Sequence, residues 1–270
     1  MLRKILISLG SLAFLIVVLM VALFAWVKNP YDLESERLGP KGNEALPEIS
    51  IEPDSKNYLL YEGYDHNLYA IHLALPNHYI HESNVTKRIS KSYGAYVTMY
   101  YPNMNGKYHP DNAHIPKCNG WCSGYMRASI KPASRKAIDI NERKIERLAK
   151  ERKEHSHLRH FQDLEQEFGL DNHFQIRYPA IEKKSKDKKN STDEYFIKHA
   201  DDGSAEYLFQ CSPYVPSPSC SVKFNLSSMP ELLVDITFSR SLMDDWKNII
   251  RMADSRISSW KLKKIKLAEG

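Results

Sequence analysis

The stretch EYFIKHADDGSAEYLFQC, residues 194–211, decides how this chain is to be read. Two runs rich in aromatic and aliphatic residues, Glu194 to His199 and Glu206 to Cys211, flank Asp201-Asp202-Gly203, a turn sequence, and so predict a β-hairpin. Working outward, Cys211 to Cys220 spans Pro213, Pro216 and Pro218 and reads as a loop closing onto a second antiparallel pair. That pair is Ser221 to Leu226 and Leu232 to Phe238, turning across Ser227 to Glu231. Ser239 or Ser241 then caps a helix whose Leu242, Trp246, Ile249, Ile250, Ala253, Ile257 and Trp260 recur at steps of three and four. Two tryptophans on one such stripe are core residues before they are ligands.

Upstream, Tyr58 to Tyr61, Leu68 to Leu75, Tyr93 to Tyr101 and Gly124 to Ile130 carry strand-forming content bounded by proline, glycine or cysteine. From Ile138 to Phe168 charge dominates. Apolar residues thin to Ile145, Leu148, Leu158, Phe161, Leu164 and Phe168, a spacing that predicts one long, mostly solvated helix. Residues 181–194 are rich in Lys, Ser and Asp with almost nothing apolar, and read as a mobile charged loop. The expected class is therefore α+β: antiparallel sheet with two main helices, arranged as two related halves over 58–180 and 195–262, with 263–270 a solvated tail. A single mixed sheet with both helices on one face is the alternative.

At the other end, Ile5 to Val27 is an unbroken apolar run without charge. A bilayer core requires about 20 such residues, so 1–28 reads as a cytoplasmic tip and a transmembrane helix. Arg3 and Lys4 precede the run, and Asp32, Glu34 and Glu36 follow it, which favours the N-terminus inside. Residues 29–57, with Pro30, Pro40, Pro47 and Pro53, read as a flexible tether. A cleaved signal peptide is the competing reading, with an apolar stretch of roughly 7 to 15 residues before a small-x-small site. The run is longer, and Leu23-Phe24-Ala25 is a poor cleavage site. The expected localisation is the bacterial inner membrane, single pass, with most of the chain periplasmic.

Beyond residue 28 there are 35 Lys and Arg against 33 Asp and Glu, a net of +2. Nucleic-acid binding requires a concentrated basic patch, which this balance does not supply. Four cysteines in an oxidising compartment read as disulfides. Cys118 with Cys122 and Cys211 with Cys220 is the leading choice among three connectivities. Zinc is the alternative for four cysteines, but its knuckles usually place two residues between ligands, and here the pairs enclose three and eight.

Catalytic signatures are sparse. There is no Gly-x-Ser-x-Gly elbow to hold a nucleophile, no His-Glu-x-x-His to place two imidazoles on one helical face, and no Asp-x-Asp for a metal-nucleotide pair. His157 and His160 at i, i+3 on the expected helix would suit a transition metal, though solvated histidines are the simpler reading. No catalytic, cofactor-binding or metal residue is assigned, and no cofactor is expected.

One stretch is familiar. From Tyr207 to Trp260 the order is a strand into Cys211, a Pro/Ser-rich loop to Cys220, two strands, then Ser239-Arg240-Ser241-Leu242 and a helix with Trp246. Over about a fifth of the chain this resembles small membrane-anchored bacterial proteins encoded beside type VI secretion effectors, many of them immunity or accessory proteins. The resemblance implies a periplasmic binding protein that neutralises an antibacterial effector by occluding it, with a protein partner and a membrane contact through residues 5–27. Interfaces of this kind concentrate energy in a few aromatic and Arg anchors. Tyr93, Tyr96, Tyr100, Tyr101 and Tyr108 are the candidates, although alternate strand residues there must also fill the core. An anchored exoplasmic hydrolase or transferase, or an accessory component of a secretion machine, is the alternative.

Overall fold

The computed structural model describes residues 55–60, 69–79, 89–92, 94–112, 124–133, 135–156, 159–178, 191–213, 215 and 217–266. In chain order the strands are β1 (Ser55–Leu60), β2 (Tyr69–Pro76), β3 (Ile89–Ser92), β4 (Ala95–Tyr100), β5 (Asn105–Gly106), β6 (Tyr125–Pro132), β7 (His160–Leu164), β8 (Asn172–Tyr178), β9 (Ser191–His199), β10 (Ala205–Ser212), β11 (Ser219–Leu226), β12 (Met229–Ser239) and β13 (Lys261–Lys266). Two α-helices interrupt them, α1 (Ala137–Glu154) and α2 (Trp246–Ser258).

The strands form two sheets. The larger has nine strands in the order β5-β4-β6-β12-β11-β10-β9-β8-β7, and its neighbours are antiparallel throughout. The smaller has four, β13-β2-β1-β3, with β1 and β3 parallel. The hairpin over residues 194–211 is present, its turn at Gly203 with a left-handed φ of 84° that glycine adopts without steric cost. It is the middle of the large sheet rather than one arm of a separate half.

The expected class is corrected on two counts. β6, from the first part of the chain, pairs with β12 along Met126–Pro132 and Leu232–Phe238. Strands from 95–132 and from 191–239 therefore share one continuous sheet, and two α+β halves do not exist. Sheet dominates the fold, with α1 and α2 the only α-helices among the described residues. The membrane-spanning helix expected over residues 5–27 lies outside the described residues, and among these no helix is long and apolar enough to cross a membrane. The fold described here therefore carries no membrane-spanning helix.

The helix expected over 138–168 stops at Glu154, and His160–Leu164 returns as strand β7 beside β8. Phe161 and Leu164 recur at a helix-like step, yet all five residues pair with β8, which makes the segment a strand; the exposed Arg152–Asp163 salt bridge at 2.7 Å adds little to this. His160 thus begins a strand and shares no helix face with His157, which lies outside the described residues. β9 opens at Ser191, three residues before the strand predicted from Glu194, and β1 opens at Ser55, inside the segment read as tether. Lys261–Lys266, expected to straddle the start of a tail, is an edge strand paired with β2, its Ile265 opposite Ala70.

One face of the large sheet carries the principal core. Val97, Met126, Val222, Phe224, Val234, Ile236 and Phe238 alternate inward there and meet Leu60, Ile71, Leu73 and Leu75 of the small sheet. The α2 stripe of Trp246, Ile249, Ile250, Ala253 and Ile257 closes the same core, and Trp246 donates its indole N–H to the Phe168 carbonyl at 3.0 Å. Trp260 lies past the end of α2 and packs edge-on to Tyr79, with ring centres 4.8 Å apart. The opposite face is covered only in part. α1 lays Leu148 over Ile176, Tyr195, Ile197 and Leu208, a second and smaller cluster. Its first N–H groups have no capping side chain from Lys136; instead the Asn225 carboxamide of β11 accepts from the Ala137 N–H at 2.6 Å. The outer face of β4, β6 and β12 lies away from α1 and carries Tyr96, Arg127 and Lys131, all exposed.

Candidate protein-binding face

On β4 the side chains alternate strictly. Ala95, Val97 and Met99 enter the principal core, so Tyr96, Thr98 and Tyr100 take the outer face. Registration with β6 sets Tyr96 opposite Ser129, Thr98 opposite Arg127, and Tyr100 opposite Tyr125. β12 adds Asp235 beside Ser129 and Thr237 beside Arg127. A polar, aromatic surface results, formed by the same alternation that builds the core.

Five tyrosines stood as candidate anchors, and the structure separates them. Tyr96 is 76% exposed and Tyr108 40%, the two most exposed of the described tyrosines. Tyr100 is 7% exposed, its ring edge-on to Tyr125 with centres 5.6 Å apart. Burial, with Tyr125 and Tyr108 nearby, pushes its hydroxyl pKa above the ordinary value. Tyr101 packs partly against the core and donates its hydroxyl to Asp245. Tyr93 lies outside the described residues, as do Cys118 and Cys122. Cys211 and Cys220 face each other across β10 and β11 and are joined as a disulfide.

A hollow of about 740 Å³ runs along β4, lined among others by Tyr58, Tyr79, Tyr96, Thr98, Lys107, Tyr108 and Arg127. Its rim is held by backbone. Lys107 donates its N–H to the Thr98 carbonyl at 3.2 Å, and Tyr108 donates to the His78 carbonyl at 3.0 Å. Gly106 makes that approach possible, because a Cβ there would lie 2.2 Å from the His78 oxygen. The Tyr79 hydroxyl donates to the Met104 carbonyl at 2.8 Å and pins the turn from beneath. Two cation-ring contacts add stiffness: Arg127 lies 5.6 Å from the Tyr125 ring centre and Lys107 5.7 Å from that of Tyr108. The Arg127 Nε also donates to the Tyr125 hydroxyl at 3.2 Å.

Arg127, Tyr125 and Lys107 were not among the residues singled out from sequence. The signal for the first two was present, since YMRASIKP alternates with Met126, Ala128 and Ile130 inward and therefore places Tyr125 and Arg127 outward. Lys107 had none, because the fold back to Thr98 depends on a contact with the distant His78.

No protein-family model and no curated protein matches the chain. One solved structure is similar. It is an immunity protein of the Stenotrophomonas maltophilia type IV secretion system, 15% identical, with a TM-score of 0.47 over 76% of this chain and 93% of that one. That protein serves a type IV system, whereas the resemblance in residues 207–260 pointed to type VI.

Proposed function

We propose that this protein is an immunity protein, a binding domain that covers and so neutralises a secreted antibacterial effector through the outer face of β4 and β6. The observation that carries this reading is Tyr96, 76% exposed on a rigid strand and standing over a hollow that also presents Tyr108 and Arg127. Tyr and Arg are the residue types that dominate binding energy at interfaces, and a ring already ordered on a sheet loses little conformational entropy on docking. The Cys211–Cys220 disulfide supports a working place in an oxidising compartment such as the periplasm. The proposed delivery route is type VI, on the resemblance in residues 207–260.

A competition assay tests all three parts. A strain of the source bacterium lacking this gene is mixed with its secretion-competent parent, and the expected outcome is selective killing of the deletion strain. Restoring the wild-type chain rescues it, whereas the double variant Tyr96→Ala with Arg127→Ala does not. Each replacement removes about 2 kcal/mol of binding at a hot spot, or roughly thirtyfold in affinity. Equal survival with and without the gene defeats the immunity reading. Full rescue by the double variant defeats this face. Killing by a parent without its type VI apparatus, lost only when a type IV apparatus is removed, moves the route to type IV.

A further inference from the structure

The edges of the two sheets are not alike. β13 carries Lys261, Lys263 and Lys264 among its six residues, and lysines on an edge oppose pairing with a foreign strand. β7 carries Asp163, engaged by Arg152, with His160 and Gln162 also exposed. β4 reads Ala95-Tyr96-Val97-Thr98-Met99-Tyr100, uncharged and rich in residues that favour strands. β6 pairs with it along all six positions, whereas β5 covers only Met99 and Tyr100 on the other side. Among the described residues no strand lies beside residues 95–98 on that side.

Backbone geometry gives the direction of the uncovered groups. The Thr98 and Tyr100 carbonyls accept from the Lys107 and Met104 N–H groups at 3.2 Å and 2.7 Å, so both residues direct their backbone away from β6. In an antiparallel ladder, alternate residues direct their N–H and C=O to the same side. Tyr96 therefore points its own pair outward along the hollow. Gly94, the next residue of that parity, has both groups answered by the Ser92 hydroxyl, at 3.3 Å and 2.7 Å. Tyr96 is thus the open rung, flanked by rungs already occupied.

Charge selects what fits there. Lys107 and Arg127 line the hollow, while Asp235, its acidic lining residue, is neutralised by Lys223 at 2.9 Å. We infer that a short extended acidic segment of the partner docks at the one open rung of β4, pairing its backbone with Tyr96 and setting its carboxylates toward Lys107 and Arg127. This rests on the reading of the same face as the effector-binding surface, and it supplies how the segment is held: main-chain bonds give affinity, and the two cations choose among sequences.

The test uses the full chain and a short fluorescent peptide alternating glutamate with valine, with a lysine-for-glutamate counterpart as control. The glutamate peptide is expected to bind in a salt-sensitive manner and to slow hydrogen exchange of the Tyr96 amide at least tenfold, and the lysine peptide to do neither. Lys107→Glu with Arg127→Glu is expected to weaken binding at least tenfold. Proline is tolerated on a strand edge where its missing N–H would have faced outward, so Tyr96→Pro should keep the fold yet lose at least tenfold more binding than Tyr96→Ala. Absence of binding overturns the proposal. So does binding that leaves Tyr96 exchange unchanged or that Tyr96→Pro and Tyr96→Ala weaken equally, because the acids are then held by side chains alone; the effector-binding face survives that outcome. Slow exchange that grows with protein concentration without peptide also overturns it, assigning the edge to a second copy of the chain. If the peptide behaves as expected while the deletion strain survives competition, docking at the Tyr96 rung stands and the immunity reading falls.

Discussion

Gly106 shows how one residue without a side chain positions several that have one. Its Cα approaches the His78 backbone so closely that a Cβ would sit 2.2 Å from the carbonyl oxygen and 2.7 Å from the Tyr79 nitrogen. Both neighbours are main-chain atoms and cannot rotate aside. Gly106→Ala should therefore destabilise the fold by roughly 1–3 kcal/mol, as overpacked cores do, and weaken partner binding by shifting Lys107 and Tyr108. Denaturant unfolding reads the first effect, and an unchanged midpoint would show that the turn is free to move. His78 adds a pH dependence at the same spot. Burial first, then the nearby His109 and Arg256, lowers its pKa below the ordinary 6.5. The folded protein thus holds His78 neutral where the unfolded chain already takes a proton. Its contribution to stability is full above about 6.5 and is lost as pH falls through that value toward the lower folded one. A plot of melting temperature against pH should decline below 6.5 more steeply for wild type than for His78→Gln; superimposable curves would remove His78 from the account.

Elements stabilised from within were the legible ones. The hairpin of β9 and β10 follows from a turn at Gly203 between two strand-forming runs, and α2 from a stripe at steps of three and four. Both signals are local. The end of α1 was not legible, because Phe161 and Leu164 keep a helix-like spacing while pairing with the distant β8 makes the segment a strand. β13 escaped for the same reason: only its neighbour β2 turns an alternation of lysine with Leu262 and Ile265 into a strand. Sequence spacing also suggested the Cys211–Cys220 bridge, which joins directly opposed residues of β10 and β11. With nine residues of separation, chain entropy assigns it about 2.5 kcal/mol. Replacing both cysteines by alanine should lower the unfolding free energy by that order. No loss of stability would mean that the reduced unfolded chain already keeps residues 211 and 220 close together, so that the bridge removes little entropy from it.

Across the molecule, what sequence left unread is the joining of distant strands. Nothing near Met126 announces pairing with Phe238, and nothing in Tyr96 announces that its side chain faces outward until β6 and β12 are placed beside it. The same long-range joining makes stability uneven. The principal core ties the two sheets to α2 through five buried positions of that helix. α1 buries only Ala137, Asn141 and Leu148, and its Leu148 rests on five buried residues, Ile176, Tyr195, Ile197, Ala205 and Leu208, at one end of the large sheet. Opening α1 exposes that cluster while leaving the principal core closed; opening α2 exposes the core itself. Native-state hydrogen exchange should therefore show α1 amides opening at a free energy below the global value and α2 amides at or near it. Leu148→Ala sharpens the comparison: it should lower α1 protection by about 2–3 kcal/mol, the low end for a buried leucine. α2 protection should fall by as much, because the global opening that exposes α2 releases Leu148 too; Ile249→Ala, by contrast, should lower α2 protection and leave that of α1 unchanged, since Ile249 stays buried while α1 opens. An equal fall for both helices in Ile249→Ala would mean that the two clusters unfold as one unit, making the outer cluster an integral part of the core.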